Sequence, residues 1–470
     1  MTDASTPQPI ADARFGRICA AIVQHMARLH VPGVAIGIAD QDTEHTAGFG
    51  VTSIEHPLAV DADTLFQIGS TTKTVTGTAA MRLVEQGQLD LDTPVRTYLP
   101  DLRLADEHVA AGVTMRHLFN HTGGWAGDYF DDLGNGDDAL ARIVARMADL
   151  PQLTPLGAFW SYNNAGFYLA GRVLEVVAGQ PYEALAQQLV LNPLGMHMSF
   201  FFAADAISHR VAIGHHNPFE AGEPPVRVAR PWALARTAHA AGGICSTVRD
   251  QLRYARFHMG DGTAADGARL LAPASIAEMQ TPRVPAADGQ FSGVTWFIYQ
   301  VDGTRIVRHG GATNGQLSAF VMVPARRFAI TVLTNSDRGG ELNQIIVKLA
   351  LREFLGIEQP TPAPLKATEQ QLAAYAGRYE SLLDSCDLEL RDGALILRRT
   401  PKGGFPTKDS PASPTPPPTR LALCGDDRVI ALDEPFKDAQ GEFLRNPDGS
   451  IAWLRIGGRL HSRSVVTSDQ

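Results

Sequence analysis

Strand-like apolar segments near both ends of the first 355 residues constrain the fold more than any other feature of the sequence. They occupy residues 34–39, 43–51, 295–301, 318–323 and 328–335. The long segment between the two groups has mainly helical periodicity. The pattern predicts one antiparallel sheet built from both ends of this region, with a mainly helical insertion between them.

Composition and charge exclude several classes of protein. The 470 residues carry a net charge of -9 without a dense Lys/Arg run, so we expect no nucleic-acid partner. No apolar run approaches the roughly 18 residues of a membrane span. The first residues also lack the basic start and apolar core of a signal peptide. We therefore expect a cytoplasmic protein without a membrane partner, and we predict neither a metal ion nor an organic cofactor.

The segment Phe66-Gln67-Ile68-Gly69-Ser70-Thr71-Thr72-Lys73 places a serine and a lysine at the start of a helix. Residues three apart share a helix face, so the Lys73 amine can reach the Ser70 hydroxyl. The amine can accept the serine proton only if burial or nearby charge lowers its pKa. The pair is a candidate nucleophile and base, although the same spacing is also typical of an ordinary helix start with a solvated lysine.

Two further segments carry candidate site residues. Tyr162 and Asn164 lie on a predicted loop before an apolar helix, where a phenol and an amide can face one cavity. The segment from Arg308 to Gly315 lies between two predicted strands, and its glycines allow the backbone to approach a bound acyl group. Residues 128–138 are acidic and glycine-containing, which predicts a surface loop near the mouth of a site.

In this order and at this wide spacing, the three segments resemble the motifs of the penicillin-recognising serine hydrolases, from about residue 10 to 356. This family includes class C β-lactamases, D-alanyl-D-alanine carboxypeptidases, D-aminopeptidases and related esterases. The matching stretches are Ser70-Thr71-Thr72-Lys73, Tyr162-Asn163-Asn164 and His309-Gly310-Gly311. The resemblance implies an α+β fold, with a β-lactamase/transpeptidase-like antiparallel sheet and a helical domain.

The resemblance also implies a role for each matching residue. Ser70 would attack a carbonyl and become acylated, and Lys73 would accept its proton. Tyr162 would relay a proton to the leaving group and activate the deacylating water. Asn164 would hold Lys73 and the substrate amide. The backbone N–H groups of Ser70 and Ala312 would hold the oxyanion.

The third motif departs from the Lys-Thr-Gly of enzymes that destroy β-lactams. His309 replaces the lysine and Gly310 has no hydroxyl, whereas Gly311 matches. A neutral imidazole is a weaker anion site, although it can still hydrogen-bond Tyr162. We therefore expect poor β-lactam hydrolysis, with Gly310 and Gly311 contacting substrate. A histidine here resembles the D-aminopeptidases, some esterases and the penicillin-binding-protein-type peptide cyclases.

The last hundred residues have a different pattern. Residues 388–398 predict a hairpin turning at Asp392-Gly393, and further alternating segments follow. We expect domains at 1–356 and 367–470, joined by a linker at 357–366, with the second domain a small antiparallel barrel. The resemblance implies a lipocalin-like domain, which in some family members lies over the active site. The proline-rich insert 401–419 is predicted to be a stiff, exposed loop that either reaches a cavity or is slack, and we favour the slack loop.

Three functions fit these residues. The first is a serine hydrolase that cleaves an amide or ester bond of a small, ester or peptide-like substrate. The second is an acyl transferase or peptide cyclase, a thioesterase in which an amine displaces the acyl group instead of water. The third is a binding protein that has kept the fold and lost turnover. The sequence does not distinguish the first two, because both need the same residues, and it leaves the oligomeric state open.

Overall fold

An eight-stranded antiparallel sheet forms the centre of the computed structural model, which describes residues 12–217 and 226–464. From edge to edge its strands are Thr43–Gly50, Gly33–Asp40, Phe328–Thr334, Gln316–Val323, Thr304–Thr313, Phe297–Val301, Phe291–Ser292 and Val284–Pro285. Gly33–Asp40, which comes first in the sequence, pairs with Phe328–Thr334, the strand of this sheet that comes last in the sequence, and Val34 lies opposite Thr334. The prediction that both ends of this region build one antiparallel sheet is confirmed.

Two long helices, Ala13–Leu29 and Gly339–Leu355, cover one face of this sheet. The Asp12 carboxylate caps the first of them by accepting hydrogen bonds from two backbone N–H groups of the first turn. Ile18 and Ile22 lie on its buried face, where they join the core that the two helices share with the sheet. Burial of this apolar face holds both helices against the strands.

The other face of the sheet carries the larger core and most of the helices. These are Thr72–Glu85, Glu107–Gly112, Met115–Phe119, Ala139–Ala145, Ala165–Ala178, Tyr182–Ala186, Ala203–Ala206, His239–Gly242, Val248–Met259 and Pro273–Met279. Thr72–Glu85 runs through the middle of this core and is buried along nearly its whole length. The residues at its start are therefore removed from bulk water.

The third motif lies on a strand rather than between strands. His309 to Ala312 belong to Thr304–Thr313, which pairs with Gln316–Val323 along its second half. The sequence prediction missed this strand because its glycines interrupt the apolar alternation by which strands are recognised. Its first half pairs with Phe297–Val301, and that pairing ends at Arg308 opposite Phe297.

The C-terminal region is a closed antiparallel barrel, as the sequence predicts. Its strands are Gly377–Glu380, Asp384–Arg391, Ala394–Pro401, Thr419–Gly425, Arg428–Ala431, Gln440–Arg445, Ile451–Ile456 and Arg459–Arg463. The helix Glu369–Ala373 precedes it. Residues 356–368, all of them described, form neither helix nor strand. The exact domain boundaries at 356 and 367 stay predictions.

Within the two described ranges, none of the helices combines the length and the apolar character that crossing a bilayer would require.

Candidate active site

Ser70 lies in a 3-10 turn, Gly69–Thr71, that leads directly into the buried helix. Gly69 has φ of +52°, and a Cβ added there would lie 2.7 Å from the backbone N of Ala312. A Cβ added to Gly311 would lie 1.9 Å from the carbonyl O of Ile68. The two glycines therefore let the serine turn approach the neighbouring strand closely. Ser70 and Ala312 line one cavity of about 520 Å3.

Lys73 is fully buried, and its amine contacts three oxygen atoms. The Nζ atom lies 2.7 Å from Asn164 Oδ1, 2.7 Å from the Ala241 carbonyl O and 3.1 Å from Ser70 Oγ. The amide and carbonyl oxygens can only accept hydrogen bonds, so they take two N–H groups of the amine. A neutral amine then has its lone pair free to accept the Ser70 hydroxyl proton. The arrangement therefore suits a base.

A carboxylate behind Asn164 fixes the direction of its amide. Asn164 Nδ2 donates to Asp128 Oδ1 at 2.6 Å, so the amide oxygen faces Lys73. Arg459, from the barrel, donates from Nε to Asp128 Oδ2 at 2.9 Å. Burial and then the Arg459 charge lower the pKa of Lys73 well below its usual range, while Asp128 acts in the opposite direction. The surroundings therefore favour the neutral amine.

Tyr162 lies on the loop before helix Ala165–Ala178 and stacks on His121, with ring centroids 4.5 Å apart. The Lys73 Nζ atom lies 5.0 Å from the centre of the phenol ring. Burial raises the pKa of Tyr162, and a hydrogen bond with Ser70 opposes this effect. The phenol is thus protonated at neutral pH and lies beside the Ser70 hydroxyl.

His309 faces the same cavity as a neutral imidazole. Its Nδ1 lies 2.6 Å from the Gly310 carbonyl O, so the Nδ1–H donates and Nε2 is left as an acceptor. The buried Nε2 has no hydrogen-bond partner within the described residues. Burial, and to a lesser degree Lys73, lower the pKa of His309 to about 3. The ring therefore offers an acceptor atom, and no cation, to a bound molecule.

One hairpin of the barrel holds the loop that carries Tyr162. The Tyr162 N–H donates to the Gly458 carbonyl O at 2.8 Å, and Arg455 Nη1 donates to the Trp160 carbonyl O at 2.7 Å. The Arg459 guanidinium lies 4.6 Å from the centre of the Tyr162 ring. The barrel is therefore part of the wall of the site.

Of the two interpretations of the insert 401–419, the favoured one, a slack loop, is wrong, and the loop reaches the cavity. Phe405, Pro406 and other residues of this insert line the cavity that contains Ser70. The Phe405 ring packs edge-on against Phe130 at 4.9 Å, and the Lys408 N–H donates to the Phe130 carbonyl O at 2.9 Å. An aromatic contact and a backbone hydrogen bond anchor the loop over the site, and neither partner is visible from local sequence.

All of the residues predicted for the site lie together around one cavity. These are Ser70, Lys73, Tyr162, Asn164, His309, Gly310, Gly311 and Ala312. Sequence reasoning missed His121, Ala241 and Arg459 as members of the site. Asp128 had a partial signal, since the sequence placed its loop near the mouth. Arg459 had none, because a residue on a late barrel strand reaches the site only through tertiary packing.

The fold and this constellation define a class of protein, and comparison with known proteins identifies it. The β-lactamase family profile matches residues 19–351, which is more than half of the chain. Penicillin-binding protein 4 of Amycolatopsis lactamdurans is 35% identical over 359 residues, covering 75% of this chain and 93% of that protein. The chain therefore belongs to the β-lactamase family, a family of serine hydrolases.

The chain is also similar to an esterase and to SurE. Esterase EstB of Burkholderia gladioli is 35% identical over 214 residues, covering 42% of this chain and 53% of that protein. The crystal structure of SurE matches with a TM-score of 0.75 and 25% identity, covering 96% of this chain and 99% of SurE. A second SurE structure, with D-Leu, has a TM-score of 0.73 and the same identity. The SurE similarity thus extends through the barrel.

Proposed function

We propose that this protein is a serine hydrolase that cleaves a small ester or amide substrate through an acyl-enzyme on Ser70. The observation that carries the proposal is the fully buried Lys73 amine, whose two acceptor contacts leave its lone pair for the Ser70 hydroxyl. A buried neutral lysine is an effective base for a serine nucleophile. The similarity to Esterase EstB and to a penicillin-binding protein supports acyl chemistry.

The reaction would proceed by two acyl transfers. Ser70 Oγ bonds to the carbonyl carbon as its proton passes to Lys73, and the N–H groups of Ser70 and Ala312 hold the oxyanion. The C–O or C–N bond then breaks, and the leaving group takes a proton from the Tyr162 phenol. The protonated Lys73 amine then returns a proton to Tyr162. Water attacks the acyl carbon in the second transfer, which releases the acid and returns the proton to Ser70.

The remaining predicted residues would position the substrate. Asn164 orients Lys73 and contacts the substrate amide, while Gly310 and Gly311 allow substrate to lie close to the strand. His309 Nε2 would accept a hydrogen bond from Tyr162 or from the substrate. None of these groups supplies a positive charge, so this part of the site offers no cation to a substrate carboxylate. The cations that line the cavity elsewhere are Arg308 and Arg459.

The intact mass of the protein after brief exposure to a short-chain activated ester tests the proposal. We expect an acyl adduct or released acid with the natural chain, and neither with Ser70→Ala. A Ser70→Ala variant that keeps full turnover would remove Ser70 from the mechanism. Neither adduct nor turnover in the natural chain would favour the third candidate, a binding protein without catalysis.

An acyl transferase or peptide cyclase is the second candidate. It is favoured by the SurE structure with D-Leu, because an amino acid carries an amine of the kind that would act as acceptor, and the match to that structure covers 96% of this chain. The barrel and the 401–419 loop both contribute residues to the lining of the cavity that contains Ser70. D-Leucine amide and L-leucine amide, added separately to the ester reaction, test this candidate. Amide products that outcompete hydrolysis with one enantiomer support transfer, whereas acid alone with both supports hydrolysis.

A further inference from the structure

A second cavity, of about 510 Å3, lies between the sheet region and the barrel. The barrel contributes an apolar patch, formed by Leu397, Leu421, Val429, Ala431 and Ile456, and polar groups that include Arg399, Asp438 and Gln440. The facing wall belongs to helix Gly339–Leu355, which contributes Gln344 and Val347. The volume is within the range of about 300–1,000 Å3 that is typical of sites for small ligands.

This cavity adjoins the one that contains Ser70. Both are lined by the same strand segment, Arg308 to Gly311. Gly310 presents no side chain there, and a Cβ added to it would meet only the Ser318 carbonyl O, at 3.2 Å. The pairing with Phe297–Val301 ends at Arg308, so the neighbouring strand does not extend along Gly310 and Gly311. A molecule that extends from one cavity to the other would pass this segment.

The position of Tyr162 indicates which part of a substrate lies at the junction. Under the function proposed above, Tyr162 gives its proton to the leaving group. Its ring lies 6.4 Å from the ring of His309, the residue that precedes Gly310 on the shared segment. The proton donor thus lies near the segment that both cavities share, so a leaving group protonated there would be next to the second cavity, whereas the acyl group stays on Ser70.

We propose that the second cavity binds the apolar part of the leaving group, and of an acyl acceptor that takes its place. The ligand class is an alcohol or amine with an extended alkyl body. In the forward step the C–O or C–N bond to this group breaks and the group gains a proton. In the reverse step the acceptor's heteroatom bonds to the acyl carbon and loses that proton, the bond between the acyl carbon and Ser70 Oγ breaks, and Oγ regains a proton. The proposal rests on the acyl-enzyme at Ser70.

Two ester series test it. The first keeps an acetyl group and lengthens the alcohol from ethyl to octyl, and the second keeps the ethyl group and lengthens the acyl chain. Burial of alkyl surface predicts that kcat/KM rises about fourfold for each methylene added to the alcohol. Ala431→Phe fills the cavity from the barrel and should flatten this rise. Ala422→Phe on an adjacent strand, at a position outside that apolar lining, is the matched control and should preserve it.

Gln344→Trp fills the cavity from the opposite wall at an exposed position, where misfolding is not expected. Flattening by both cavity variants, with the acyl-chain series unaltered, supports the proposal. The proposal is overturned if kcat/KM still rises with alcohol length in both cavity variants. It is also overturned if the variants lower kcat/KM only for esters with long acyl chains. To compare alcohols with amines as acyl acceptors, octanol and octylamine are added to the reaction. The yields of octyl ester and octylamide are measured against the yields that ethanol and ethylamine give.

A binding measurement separates this proposal from the proposed function. Calorimetry of octylamine with the Ser70→Ala chain should detect binding that Ala431→Phe abolishes and Ala422→Phe retains. If no ester is turned over, the proposed function fails, and the calorimetry alone decides whether the cavity binds an alkyl amine. Equal binding to all three chains, or to none, refutes the alkyl site.

Discussion

At the scale of single residues, the surroundings of Lys73 determine which chemistry is possible. A charged lysine has three protons to donate, and its contacts with Asn164 and Ala241 would leave the third directed at Ser70. A neutral lysine reverses that last contact and becomes a base. Burial and the charge of Arg459 both shift the equilibrium toward the neutral form.

Lys73→Arg should abolish most of the acylation. The guanidinium keeps the positive charge but cannot lose a proton in a protein, so no base remains beside Ser70. We expect the acylation rate to fall by about 10²- to 10⁴-fold. Stopped-flow kinetics with an activated ester measure the rate, and Lys366→Arg at an exposed position is the control. Acylation at the natural rate in Lys73→Arg would show that another group accepts the proton.

Arg459→Gln should shift the pH profile. Removal of its charge raises the pKa of Lys73, because Arg459 lowers that pKa and Asp128 raises it. The neutral amine then requires a higher pH, so the acid limb of kcat/KM moves upward in pH. Arg459→Lys keeps a positive charge and should retain the natural limb. If Arg459→Gln lowers the maximal kcat/KM but leaves the acid limb of the pH profile unmoved, Arg459 only supports the structure.

His309 leads to a prediction about β-lactams. Its pKa of about 3 leaves no cation at the position where a β-lactam carboxylate would be held. We expect cephalosporin turnover well below the turnover of an uncharged activated ester, measured by absorbance under the same conditions. His309→Asn, which is also neutral, should leave cephalosporin turnover low. Rapid hydrolysis of a cephalosporin by the natural chain would contradict this view of the site.

At the scale of single elements, a buried ion-pair network ties three barrel strands together. His461 Nε2 lies 2.7 Å from Asp384 Oδ1, and Arg399 Nε donates to Asp384 Oδ2 at 3.0 Å. Cys386 lies beside them, so the cluster has the composition of a metal site. The Arg399 guanidinium already neutralises the carboxylate, which favours an ion-pair network over a cation site.

This network should make barrel stability depend on pH. Burial alone would lower the pKa of His461, but its hydrogen bond to Asp384 raises the pKa to about 9. The stabilisation is therefore fully present below the unfolded-state pKa, about 6.5, and is lost as the pH rises through 9. We expect His461→Gln to remove about 2 to 3 kcal/mol at pH 6 and much less at pH 10.

Chemical denaturation at both pH values measures this difference. His56→Gln, at an exposed position, is the control and should change stability equally little at pH 6 and pH 10. A His461→Gln effect of the same size at both pH values would show that packing, rather than the charge on the ring, accounts for the loss.

At the scale of the whole molecule, the barrel supplies part of the catalytic wall. Gly458 has φ of +76°, and a Cβ added there would lie 3.2 Å from the Trp160 ring. Its carbonyl accepts the Tyr162 N–H. The hairpin and the Tyr162 loop thus meet with no space for a side chain between them.

Gly458→Val should displace this hairpin and lower kcat/KM by about tenfold or more, because small misplacements of reacting groups cost large factors in rate. Gly457→Val is the matched control. Gly457 also has positive φ, at +56°, yet a Cβ there meets no atom within 4 Å. Equal losses in the two variants would indicate backbone strain in the hairpin instead of a displaced Tyr162 loop.

Much of the fold was predictable because its signals are local or periodic. The terminal strands are apolar segments of ordinary strand length, and the long helices repeat apolar residues at helical spacing. The strand Thr304–Thr313 was missed because its glycines carry no apolar pattern, although they are required for its close approach to Ser70. The 401–419 loop was misread because composition describes stiffness and not contacts.

The sequence by itself determined the pair Ser70 and Lys73, the phenol and amide of the second motif, and the histidine of the third. These are short motifs in which spacing along the chain sets the relative position of the side chains. Only the tertiary structure decided that Lys73 is fully buried, that Arg459 reaches Asp128, and that two cavities share one strand. Burial, charge proximity and cavity shape arise from residues far apart in sequence, and local patterns do not encode them.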